Sequence, residues 1–145
     1  AHRALMSAES GTPVSYERLR TWLKESRMSD LVLLLNQQAI SLPADQAAEA
    51  LQLLDKALQL QPKTAYLYYN KGCVLGTQGR LGEAKEAFAK ALSLDDRMAE
   101  AYYNRGVVAL LDGRTEQAIP DLSRAGELGF YRAYNLIKQA KKTLK

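Results

Sequence analysis

Tyr68-Tyr69-Asn70-Lys71-Gly72 returns as Tyr102-Tyr103-Asn104-Arg105-Gly106, an interval of 34 residues. The interval is not confined to the pentapeptide. Gly79 pairs with Gly113, Ala84 with Ala118, Phe88 with Leu122 and Ala91 with Ala125 at the same spacing. Self-similarity at a period of about 20–50 residues marks stacked supersecondary units, each of which buries its apolar face against the next. At 100° per residue, Tyr68, Gly72 and Leu75 share one face of a helix, as do Tyr102, Gly106 and Ala109. Each unit is therefore read as two helices, with glycines 79 and 113 in the turns, where left-handed backbone is favoured.

Outward from this core the pattern weakens. Counting back one period from Ala84 and Ala91 reaches Ala50 and Ala57, and Leu54, Leu58, Leu60 and Pro62 fall in register with them. The first half of that unit carries Gln38 where later units have glycine. Residues 31–64 are thus expected to form a degenerate first repeat, 65–98 a second and 99–129 a shortened third. Ahead of them, residues 1–12 read as a disordered or linker start. Thr12-Pro13 then opens an N-terminal helix over 13–30 with Tyr16, Leu19, Trp22 and Leu23 on one side. Ser29 or Asp30 is placed to cap the next helix, whose apolar face is read as Leu31, Leu34, Leu35 and Ile40 and whose end is set by Pro43. After Gly129, residues 130–145 form a C-terminal capping helix with Phe130, Ala133, Ile137 and Ala140 inward and lysines elsewhere.

The matched set Tyr68/Tyr102, Gly72/Gly106, Ala84/Ala118, Phe88/Leu122 and Ala91/Ala125 resembles the tetratricopeptide repeat (TPR) family over roughly residues 31–144. The resemblance implies an all-α fold, a right-handed α-solenoid of antiparallel helix pairs with terminal capping helices. It also implies that the first helix of each pair lines a concave peptide groove. Within each pair, glycine facing alanine is expected to let the backbones approach, with Phe88 and Leu122 filling the space beside them. Tyr68 and Tyr102 are assigned to the core. Lys71 and Arg105 are expected to lay their stems on the packing surface with the charges in water. Thr115 is a candidate cap, and Pro120 predicts a tight or bent first turn in the third pair's second helix.

Composition removes several function classes. The chain has 145 residues, 47% of them hydrophobic, enough for a core without metals or disulfides. No apolar run approaches the roughly 20 residues of a membrane helix. His2 is the sole histidine and Cys73 the sole cysteine, so neither a zinc site nor a Cys/His nucleophile pair can be assembled. No enzyme activity, metal or cofactor is expected, nor membrane insertion or a small-molecule substrate. A soluble module, cytoplasmic or periplasmic, is the expected setting. The net charge of +4 is equalled by Lys138, Lys141, Lys142 and Lys145, which leaves a neutral body and a basic tail.

Recognition should then fall on the groove-facing places of the first helices. These are Tyr66, Tyr69, Asn70 and Cys73 in one unit and Tyr103, Asn104 and Val107, with Glu100, in the next. The capping helix, aligned on Asn135, adds Tyr131, Tyr134, Asn135 and Lys138. The weak repeat would offer Val32, Leu35, Asn36 and Ala39. Asparagine amides both donate to and accept from a passing main chain, and tyrosine brings large contact area at small entropic cost. The expected function is non-catalytic binding of a peptide or protein segment, as a scaffold or adaptor domain of a larger bacterial protein. Family members that clamp two carboxylates of an acidic C-terminal peptide need lysines, asparagines and an arginine at places that here hold Leu35, Ala39, Glu100 and Asn104. Only Asn70 matches, so that activity is not expected. Two alternatives remain: an acidic partner, nucleic acid or an anionic surface, on the lysine-rich last helix, and a homodimer through the N-terminal apolar helices.

Overall fold

The structure, a computed structural model, describes residues 30–144. The helix expected over 13–30 therefore lies, but for Asp30, outside the described residues. Seven helices account for nearly all of what is described, and there is no strand among the described residues. They are α1 over 30–41, α2 Ala47–Leu60, α3 Ala65–Thr77, α4 Leu81–Leu94, α5 Ala99–Leu111, α6 Thr115–Glu127 and α7 Arg132–Thr143. One 3-10 turn, Ala44–Gln46, precedes α2. The chain divides into two compact units, and the described parts of the first are residues 30–42 and 48–62.

In that first unit, α1 stops before Pro43, whose extended backbone (φ −67°, ψ 161°) cannot continue it. Its buried stripe is Val32, Leu35 and Ala39, while Leu31, Leu34 and Ile40 stand exposed. The expected apolar face was therefore set wrongly: in a helix this rich in leucine, periodicity alone does not choose between adjacent stripes. Asp30 is no cap either, because its two carboxylate oxygens are buried without a hydrogen-bond partner. Along α2, Ala50, Leu54, Ala57 and Leu58 are buried in the register the period implied.

The second unit holds α3 to α7. Each helix packs on its successor, and α3 also touches α5, so the first helices of the two pairs lie side by side. The reason is legible in α4 and α6. Ala84, Ala87, Phe88, Ala91 and Leu92 recur at helical spacing and are buried, and Ala118, Leu122, Ala125 and Gly126 repeat the stripe. Small residues bring the partner helix close, and one bulky residue per pair keys the contact. Phe88 enters at Gly72, where an added Cβ would stand 2.7 Å from its ring. Leu122 enters at Gly106, where an added Cβ would lie 2.8 Å from its Cγ and 3.3 Å from the Ala118 carbonyl. The glycines thus face the bulky residues more closely than the alanines they were expected to oppose.

Gly79 and Gly113 adopt φ of 75° and 73°. The turns close when Arg80 N–H donates to the Leu75 carbonyl (3.0 Å) and Arg114 N–H to that of Ala109 (2.8 Å). Thr115 does not cap α6: Arg114 occupies the cap position, and no side chain bonds there. Pro120 lies within an unbroken α6, whose first turn is tightened by a Gln117 N–H bond to the Arg114 carbonyl (3.1 Å). Finally, α7 packs on α6: Ala133 is buried in one cluster with Ala109, Ala118, Leu122 and Ala125, against which Phe130, Leu136 and Ile137 pack, and Ala140 is buried too.

Candidate functional site

The residues of α3 and α5 expected to contact a ligand meet where the two helices touch. Asn104 Nδ2 donates to the Tyr69 hydroxyl oxygen at 2.8 Å and lies 3.8 Å from Cys73 Sγ. The Tyr69 ring leans on Phe88, with centroids 5.8 Å apart. Three of the candidate residues thus form one half-buried cluster across the repeat boundary. Burial is the main cause of a Tyr69 pKa well above the ordinary 10.0, with Cys73 and Glu100 pushing the same way. Burial likewise raises Tyr66 and the Cys73 thiol, so Cys73 is a poor nucleophile. Tyr69 and Asn104, expected as separate contact places of two units, are bonded to each other. The spacing was present in the sequence, since Tyr69 and Asn104 are one 34-residue period plus one residue apart.

Beside this cluster, Tyr66, Asn70 and Val107 are half-buried on the same helices. An asparagine amide has two donors and one acceptor. With one N–H donated to Tyr69 and the other to Cys73 Sγ, Asn104 retains its carbonyl oxygen for another group.

Tyr103 meets a different environment. Its ring stands 4.6 Å from that of Phe130, and the Arg132 guanidinium lies over both, 5.0 Å from Tyr103 and 4.8 Å from Phe130. Arg132 escaped the sequence reading. The signal that could have found it is a cation in the first turn of a helix that has no acid there, the wrong sign for the helix dipole.

The last helix departs from the expected alignment. Tyr134 turns its ring onto α6, where an added Cβ on Gly126 would stand 2.5 Å from it. Ala133 and Ala140 are buried as Ala101 and Val108 are in α5, a correspondence offset by one residue from the alignment on Asn135. Asn135 and Lys138 are exposed, and Tyr131 is the most exposed of the described tyrosines at 73%. In the weak repeat, Val32, Leu35 and Ala39 are buried and unavailable to a ligand.

Two further expectations fail for tertiary reasons. Tyr68 and Tyr102 are half-buried at the edge of the pairs, and the Tyr102 hydroxyl donates to the Asp96 carbonyl at 3.0 Å. Arg105 does not leave its charge in water: it grips Asp121 of α6 with two hydrogen bonds of 2.8 and 2.7 Å, which raise its pKa further. Among the described residues no cluster of three or more His, Cys, Asp or Glu could hold a metal, and no helix is long and apolar enough to cross a membrane.

Comparison with known proteins agrees with the fold. The tetratricopeptide repeat family matches residues 69–129. A search of curated proteins finds no relative. Among solved structures, the first TPR of Spaghetti (RPAP3) bound to an HSP90 peptide, SRMEEVD, is similar with a TM-score of 0.75 and 21% identity, covering 80% of this chain and 97% of that one. The Yersinia enterocolitica type III secretion chaperone SycD, in complex with a peptide of the translocator YopD, has a TM-score of 0.72 at 15% identity, covering 83% and 96%. A Thermobaculum terrenum O-GlcNAc transferase mutant matches at 25% identity with a TM-score of 0.71, covering 79% of this chain and 22% of that one.

Proposed function

From the tetratricopeptide repeats that residues 69–129 carry, we propose that the chain is a non-catalytic interaction module that takes an extended peptide or protein segment across α3 and α5. TPR domains mediate protein–protein interactions, and two of the similar structures hold peptides. The observation that carries the proposal is the side-by-side placement of α3 and α5 with Tyr66, Asn70, Tyr103, Asn104 and Val107 only half-buried along them. A core has no use for so many polar aromatic and amide groups held at its edge, whereas a main chain can pair with the amides and rest on the rings. The Tyr69–Asn104–Cys73 cluster holds the two helices in register beneath the ligand. We place the module as a scaffold or adaptor part of a larger protein.

The test is selection from a random dodecapeptide library displayed on phage, against the chain and an Asn70→Ala/Val107→Glu variant. Both substitutions leave the Tyr69–Asn104 bond in place. Peptides enriched on the chain and lost from the variant, with an unchanged thermal midpoint, support the groove. The same peptides emerging from both proteins would sink it.

A further inference from the structure

Arg132 is held in an unusual way for an exposed cation. Its guanidinium lies against two rings on separate stretches of chain, Tyr103 of α5 and Phe130 of the α6–α7 turn, and those rings also pack on each other. A guanidinium held over two rings has already lost much of its side-chain freedom, so pairing with a ligand costs little further entropy. No acid neutralises it from its own helix, because the sequence has no Asp or Glu after Glu127, and Glu127 is paired with Arg124 at 3.3 Å. Lys138, Lys141 and Lys142 of α7 add exposed positive charge, again with no acid between them. The other end of the same surface differs. On α3 the groove-facing groups are neutral, and α5 carries Glu100.

We infer that the segment bound across α3 and α5 is an acidic peptide, and that Arg132, seated on Tyr103 and Phe130, receives one of its Asp or Glu side-chain carboxylates at the α7 end. The inference rests on the groove reading and adds to it a ligand chemistry and a direction. A guanidinium fork matches a carboxylate with two parallel hydrogen bonds, and Lys138, Lys141 and Lys142 supply a favourable potential. The site differs from the two-carboxylate arrangement of other repeat proteins, whose places here hold Leu35, Ala39 and Glu100. It needs one carboxylate and one stacked arginine.

The dodecapeptide selection is repeated with Arg132→Gln, Arg132→Lys and a Lys141→Gln/Lys142→Gln control, each checked by circular dichroism and thermal midpoint. On the unaltered chain the recovered peptides should carry Asp or Glu at one fixed place relative to their aromatic residues. Fluorescence anisotropy with the best peptide should show binding about tenfold weaker when that acid is replaced by its amide. Arg132→Gln should abolish this difference, Arg132→Lys should keep only part of it, and the lysine control should keep most. Neutral peptides on the unaltered chain would overturn the inference and leave the groove standing, whereas no recovered peptides would overturn both. An acid preference that survives Arg132→Gln, or that vanishes in the lysine control, would also overturn it. So would tighter, Arg132-dependent binding of oligothymidylate, which would make the partner a nucleic acid.

Discussion

The α3–α4 and α5–α6 pairs share their spacing and turns but fill them differently. In the first, a flat ring, Phe88, enters at Gly72, and Lys71 faces a shallow pocket of about 220 Å³ lined by Tyr68, Leu75, Glu83, Glu86, Ala87 and Lys90. In the second, Leu122 enters at Gly106, and the place equivalent to Ala87 is Asp121, paired with Arg105. Close approach of helices is set by small residues and one key, and several keys fit the same lock. Polar groups at the rim are set pair by pair.

The largest expected effect breaks the key. Phe88→Ala should destabilise the protein by about 3–5 kcal/mol and Leu122→Ala by about 2–5 kcal/mol, read by urea unfolding, with Phe88 the costlier. The reverse order would mean that the second pair, not the first, is the more tightly keyed.

The glycines give the next contrast. Gly106→Ala gains up to about 1 kcal/mol of helix propensity but overpacks a buried Leu122 and a backbone carbonyl, at about 1–3 kcal/mol, so it should destabilise. Gly126→Ala meets only the half-exposed Tyr134 ring, which can swing into solvent, and should be neutral or stabilising. Equal thermal shifts for the two would show that the Tyr134 contact is as rigid as the Leu122 contact.

The smallest effects sharpen the rim comparison. Asp121→Ala strips Arg105 of its partner in a part-buried setting and should lower stability by about 1–2 kcal/mol. The reciprocal Ala87→Asp puts a carboxylate at a buried position where Glu83 and Glu86 are already close, and should lower stability by about 1 kcal/mol. A gain from Ala87→Asp would show that the two rims are interchangeable after all.

Legibility followed the kind of force involved. The Gly79 and Gly113 turns and the Ala/Phe and Ala/Leu stripes could be read because local backbone preference and helical period each leave a mark on consecutive residues. The buried face of α1 could not, because leucines on adjacent stripes satisfy the same period. Tyr134 was assigned to the groove by counting, yet Gly126 admits its ring onto α6, and Asn135 is turned outward. Arg132 was passed over because Tyr103, its second ring beside the neighbouring Phe130, is brought to it only by the packing of α5 and α7 about α6.

Order and spacing along one chain were enough to give the 34-residue unit with its helices and turns, and a match to the tetratricopeptide repeat over residues 69–129. The tertiary structure decided which tyrosines are braced and which lie open, that Asn104 spends a hydrogen bond on Tyr69, and that Arg105 and Arg132 serve different partners. Those outcomes depend on contacts between residues up to 35 positions apart, whose distances are set by how closely the helices pack.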